Sequence, residues 1–247
     1  MEIGIQVSSL KPLLLTPEQV REAFARMAPL GCRVVQLQWI DPSVPPETVA
    51  EALRENGIRS VSVQDFYETV RERLEYYVNL NAVTGGQWLC VSRIPERLKS
   101  REGLDAFVRE LRAMAAELEK RSQKLCFHPV SADFTALPGL NAVEALLEAM
   151  PELDLCLDLY HLNRNCPDMP GFLRRWAGRV CMVHFKDARA DTLVPAGQGD
   201  TNWEGVVRAC LNTGVPYAFV EQETWQRDPY VCLKEAMAWL NGEVENS

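Results

Sequence analysis

Short apolar runs alternate with longer amphipathic segments along the whole chain. The runs are Ile3–Val7, Arg33–Gln38, Ile58–Val63, Gln87–Val91, Lys124–His128, Leu153–Asp158, Val180–His184 and Tyr217–Gln222. Their length and β-branched content predict strands rather than helices. Between them, TPEQVREAFARMAPLG opens with Thr16 as a helix N-cap and Pro17 at the first helical position, and Gly31 marks its end. VPPETVAEALRENG repeats the design and stops at Gly57. Further helices are predicted over Arg101–Arg121, Leu140–Met150, Met169–Ala177, Trp203–Thr213 and Tyr230–Leu240, with a polar tail after Trp239 that is expected to fray. Strands alternating with helices call for parallel pairing through crossovers. Eight such units in 247 residues predict a closed (β/α)8 barrel of the TIM type, an α/β fold forming one domain over residues 1–247. No GxGxxG follows the first strand, which removes the simplest case for a dinucleotide fold.

Charge narrows the partners. The net charge is -8 and no cluster of Lys or Arg forms a basic stripe, so a nucleic-acid partner is not expected. No apolar window is long enough to span a membrane, and MEIGIQVSSL lacks the basic start of a signal peptide. The expected location is the cytoplasm. The eight cysteines form no CxxC pair and sit in apolar runs such as WLCV and VCMV. They read as reduced, buried, small hydrophobes rather than a disulfide framework or a zinc knuckle.

In a barrel of this type, chemistry gathers at the C-terminal ends of the strands. Strand five ends in His128, strand six in Asp158 with His161 three residues on, strand seven in His184 followed by Lys186 and Asp187, and strand eight in Glu221 and Glu223. All three histidines of the chain therefore fall on one face. Neighbouring parallel strands lie about 4.8 Å apart, so residues ending them can share one ion. Carboxylates with imidazole make an oxygen-rich site that suits Mn²⁺, Mg²⁺ or Co²⁺, with Zn²⁺ also admissible.

At these residues the chain resembles the xylose isomerase-like barrels, the sugar phosphate isomerase/epimerase or AP endonuclease family 2 superfamily. VHFKD resembles the strand-seven signature, LVPAGQGDTNWEGVVRAC the segment after it, LDLYHLN the strand-six pattern and YAFVEQETW the strand-eight ending. With IGIQVSSLK and GCRVVQLQ, the likeness covers nearly the whole chain. It implies one divalent metal held by four side chains, three of which match Asp158, His184 and Glu221. The fourth is a Glu after strand five in the family. Here the segment is FHPVSADF, where Asp133 stands near that place and His128 is the alternative.

The resemblance further implies proton transfer next to a carbonyl through a metal-stabilised enediolate, as in a ketose isomerase or epimerase. Glu221 is then the principal acid/base, Asp133 the second, and Lys186 a group that steadies an oxyanion. His161 and His128 would contact a sugar-like small molecule. So would Gln36 and Gln64, which stand where relatives often carry Glu and His. Relatives are often oligomeric, so a homo-oligomer is the expectation by analogy. Two other readings stand beside this one. One is a metal-dependent dehydratase of a keto-cyclitol or dehydroshikimate-like substrate, to which His128-Pro129 points. The other is a barrel that binds a sugar without catalysis. An AP endonuclease would need more histidines and a basic face.

Overall fold

The computed structural model describes all of residues 1–247. Eight strands close into a parallel barrel: β1 (Glu2–Gln6), β2 (Val34–Gln38), β3 (Arg59–Phe66), β4 (Trp88–Ser92), β5 (Lys124–His128), β6 (Asp154–Asp158), β7 (Val180–Phe185) and β8 (Tyr217–Val220). Each strand pairs with its neighbours in chain order, and β8 returns to β1. The predicted (β/α)8 barrel is the observed fold. The register sets the site: Asp158 lies opposite His184 across β6 and β7, and Ser92 opposite His128 across β4 and β5.

Local chemistry explains the elements. Helix Pro17–Met27 starts where expected, with the Thr16 hydroxyl accepting from the Gln19 N–H at 3.3 Å. Gly4 lets β1 approach β2, since a β-carbon there would sit 2.0 Å from the Val34 carbonyl oxygen. A large apolar layer joins the barrel's outer face to the helices, among it Phe24, Phe107, Leu111 and Leu146. Inside the barrel, a smaller cluster combines Val34, Val61, Trp88, Met182 and Phe219 with Cys90, Cys126, Cys156 and Cys181. No disulfide forms, and seven of the eight cysteines are buried, Cys166 excepted. The thiols act as small floor residues beneath the mouth.

Three segments depart from the expectation. Helices Tyr67–Glu72 and Leu74–Val83 fill the β3–β4 crossover, where the pattern singled out none. In the second of these, Tyr77, Val78, Leu80 and Asn81 are buried on several sides, so no one-sided stripe marks it. The C-terminal helix runs from Pro229 to Glu245 and does not fray at Trp239. Trp239 packs against Phe185 and Trp203, and Leu240 is fully buried.

Candidate active site and metal centre

The C-terminal ends of the strands bring Asp158, His184 and Glu221 together. One ligating atom from each lies within 4.8 Å of those of the other two, and all three side chains are buried. Each is held from behind. Asp158 caps the short helix Leu159–Asn163, its Oδ1 accepting from the backbone N–H of Tyr160 at 2.8 Å and of His161 at 3.2 Å. The Ser8 hydroxyl donates to Glu221 Oε1 at 2.8 Å. His184 Nε2 lies 2.5 Å from Gln36 Oε1. That oxygen also accepts from Gln6 Nε2 at 2.9 Å, while Gln36 Nε2 donates to the Ser62 hydroxyl at 3.1 Å. The amide chain therefore assigns the His184 proton to Nε2 and leaves the Nδ1 lone pair facing the mouth.

The atoms facing inward have no partner. Asp158 Oδ2, His184 Nδ1 and Glu221 Oε2 are buried without a hydrogen bond, although the last two lie 3.1 Å apart. Buried polar atoms are normally paired. Three acceptor atoms converging without a donor call for a cation between them, so the residues present fit a divalent metal.

The electrostatics follow from the crowding. Burial works against charge on His184, but Glu221 and Asp158 outweigh it and raise its pKa. Glu221 is pushed up by burial yet held well below the usual carboxylate range by Lys186 and His184. Asp158 is lowered likewise, with His161 and Lys186 overcoming burial. Lys186 is buried and forms an ion pair with Glu223 at 2.6 Å. Burial alone would lower its pKa, but Glu221, Asp158 and Glu223 raise it, so it stays a cation. Burial and the nearby Glu221 bring Glu223 up to about 7.

The other expected residues divide. His161 reaches the mouth, with Nδ1 2.9 Å from the Ser131 hydroxyl and Nε2 3.7 Å from Asp158 Oδ2. Gln64 lines the mouth and donates to Gln38 Oε1 at 3.3 Å. His128 is buried there with both ring nitrogens unpartnered, and its ring centre lies 4.9 Å from that of His184. Burial, with His184 adding to it, pulls its pKa down to about 3.

Two expectations are corrected. Gln36 does not line the mouth: it is fully buried beneath His184 and supports that ring. Asp133 is not brought to the cluster as a ligand or a proton carrier. After Pro129 the chain turns into the one-turn helix Ser131–Phe134, and the Asp133 carboxylate accepts from the backbone N–H of Val130 at 2.9 Å and of Ile94 at 3.0 Å. Both of its oxygens are thereby occupied. Burial pushes its pKa up to about 6 against those two bonds. Asp187, in the VHFKD motif, is also structural. It accepts from the N–H groups of Ala188, Gly197, Gly199 and Thr201 and from the Trp203 indole, fixing the loop that follows β7. A β-carbon on Gly199 would meet Asp187 Oδ1 at 2.2 Å.

Residues absent from the sequence reading complete the wall. The rings of Trp39 and Phe66 lie 5.9 Å apart at the mouth, with Lys11 over Trp39 and the Arg93 guanidinium 4.2 Å from the Phe66 ring centre. A larger cavity of about 560 Å³ opens beside the mouth and shares Phe66, Ser92, Arg93, Val130 and His161 with it. The aromatic signal was available, because Trp39 and Phe66 stand at the ends of their strands. The pairing across β2 and β3 was not.

A closed parallel barrel with a buried His-carboxylate cluster at the C-terminal strand ends defines a well-populated class of proteins. The chain belongs to the xylose isomerase-like TIM barrel family, whose model matches residues 24–242. A search of curated proteins finds no match. Among solved structures, a sugar phosphate isomerase/epimerase from Parabacteroides distasonis ATCC 8503 is similar, with a TM-score of 0.79, 15% identity, and coverage of 96% of this chain and 92% of that one. An L-ribulose 3-epimerase aligns with a TM-score of 0.78 at 16% identity, covering 99% and 94%. The probable 3-DHS dehydratase AsbF from Bacillus anthracis aligns with a TM-score of 0.75 at 14% identity, covering 98% and 99%. At these identities the shared property is the fold. No helix is long and apolar enough to cross a membrane.

Proposed function

We propose that this protein is a divalent-metal-dependent isomerase or epimerase of a ketose or related keto-sugar, acting by proton transfer at the carbon beside the carbonyl. The observation that carries this reading is the convergence of Asp158 Oδ2, His184 Nδ1 and Glu221 Oε2, buried and unpartnered, at the barrel mouth. These three residues would hold the ion. When bound, it supplies Lewis acidity to a carbonyl oxygen and stabilises the charge that develops there. The names of similar structures, an L-ribulose 3-epimerase among them, support the substrate class.

The side chains divide the remaining work. Glu221 is the carboxylate placed to take the proton, oriented by the Ser8 hydroxyl on its other oxygen. Lys186, buried and fixed by Glu223, presents N–H groups to a developing oxyanion or a hydroxyl. His161, steadied by Ser131, and Gln64 contact the sugar hydroxyls. Trp39 and Phe66 offer apolar faces to the carbon-bound hydrogens of a sugar.

The test is a panel of ketoses and keto-cyclitols incubated in D₂O with Mn²⁺. Deuterium entering at the carbon beside the carbonyl, and lost in Glu221→Gln, is the expected result. No exchange across the panel in a metal-loaded protein would overturn the assignment and leave a sugar-binding barrel. Exchange accompanied by the ultraviolet absorbance of an enone would move it to the dehydratase reading, in which a β-hydroxyl leaves after the same proton abstraction.

A further inference from the structure

Three ligands from three strands leave the fourth strand end to be explained. His128 closes β5 with its side chain in the mouth, buried, and neither ring nitrogen has a partner. A buried neutral imidazole ordinarily donates from one nitrogen and accepts at the other. Its ring is tilted 38° to that of His184 at 4.9 Å, too far from parallel for stacking to account for its place. The competing candidates are committed elsewhere. Asp133 is held by the N–H groups of Val130 and Ile94. His161 Nδ1 is held by Ser131, and its Nε2 lies beside Asp158.

We infer that the ion held by Asp158, His184 and Glu221 takes His128 as its fourth protein ligand, and that the resulting set of two imidazoles and two carboxylates selects borderline ions of the Fe²⁺, Co²⁺ or Zn²⁺ kind over Mg²⁺ and Mn²⁺. This rests on the metal-dependent reading above and deepens it. Imidazole is a softer and neutral donor, and a second one moves a site away from the hard ions that all-oxygen sets favour. Two carboxylates also balance a divalent charge, where a third would leave the buried site negative.

A thiolate alternative lies close by. Cys156 Sγ is 3.2 Å from His184 Nε2, and His128, Cys156 and His184 present ligand atoms within 4.8 Å of one another. Binding there would require His184 to release Gln36, whose oxygen is nearer at 2.5 Å. The carboxylate side needs no such break.

The experiment strips the purified protein with a chelator and measures Mn²⁺ and Co²⁺ affinity by calorimetry, for wild type, His128→Ala and His128→Glu. Pulsed electron paramagnetic resonance of the Mn²⁺-loaded wild type counts coordinated imidazole nitrogens. The expected results are two nitrogens, a loss of Co²⁺ affinity of at least tenfold in His128→Ala, and a Co²⁺-to-Mn²⁺ affinity ratio at least tenfold lower in His128→Glu. The ratio is the decisive quantity, because Co²⁺ outbinds Mn²⁺ at most sites. One nitrogen, unchanged affinity in His128→Ala, or a thiolate-to-Co²⁺ charge-transfer band that vanishes in Cys156→Ser would each overturn the inference while leaving a metal enzyme intact. A wild type that binds neither ion would overturn the functional reading itself. The nitrogen count needs no variant to fold.

Discussion

Replacing Gln36 tests how the site is supported from below. Its Oε1 accepts from His184 Nε2 at 2.5 Å and from Gln6 Nε2 at 2.9 Å, all within the barrel. Gln36→Leu keeps a similar volume but leaves both donors buried without an acceptor. Each such group costs about 1–3 kcal/mol, so the metal-free variant should lose roughly 2–6 kcal/mol, less whatever the leucine gains by burial. The His184 ring is then free to turn or change tautomer, and its Nδ1 lone pair is no longer assured to the ion. Losing a partner of this kind costs about 10- to 100-fold in metal affinity, or roughly 1.4–2.8 kcal/mol. Gln36→Glu retains an acceptor for both donors and should hold the ion within about threefold of wild type. Urea unfolding of the stripped proteins gives the first quantity and calorimetric titration with Co²⁺ the second. The reasoning fails if folded Gln36→Leu binds Co²⁺ as tightly as wild type, or if Gln36→Glu loses as much as Gln36→Leu.

Three further outcomes are expected. Asp133→Asn should change Co²⁺ affinity less than about twofold, whereas Asp158→Asn should lower it at least 100-fold; equal losses would restore Asp133 to the ligand set. Lys186→Met should leave metal affinity equal or higher, since a cation facing Asp158 and Glu221 is removed, yet abolish at least 99% of deuterium exchange; an unaffected exchange rate would remove Lys186 from the chemistry. The pKa of His128 is about 3 in the fold against an ordinary 6.5. The native state therefore binds fewer protons than the unfolded chain between those values, and its stability rises with pH there. Metal-free wild type should lose up to about 1.4 kcal/mol per pH unit below pH 6 relative to His128→Gln in urea titrations; parallel profiles would refute the assignment.

The barrel was legible because its strands are buried on both faces and read as apolar runs punctuated by helix starts such as Thr16-Pro17. Asp158, His184 and Glu221 were legible for the same reason: a charged or ionisable residue that ends a buried run must find a use at the mouth. Gln36 shows the limit. Alternation along β2 places it inside the barrel, but only the closed register shows that it lies beneath His184 rather than beside a substrate. Asp133 shows another. Nothing in FHPVSADF tells that the chain coils at once after Pro129, turning a would-be ligand back on its own backbone. Helix Leu74–Val83 escaped because its burial is not one-sided. The wall of Trp39 and Phe66 required a contact between strands that no local pattern encodes.

Trp39 and Arg93 carry φ angles of 56° and 68°, in the left-handed region that L-residues with bulky side chains avoid. Each such residue holds strain on the order of 1–3 kcal/mol, and both stand on the rim of the mouth. Ser122 and Ala190 share that backbone conformation, at φ 56° and 51°, but are exposed and outside the mouth. Engineering for heat tolerance therefore meets two kinds of position that backbone geometry alone does not distinguish. Glycine at 122 or 190 should raise the melting temperature without touching turnover. Glycine at 39 or 93 should raise it as well, while stripping the surface that a sugar ring would rest on. A selection scored only on survival after heating would accumulate all four changes, and the best-surviving clones would be the ones with a bare rim.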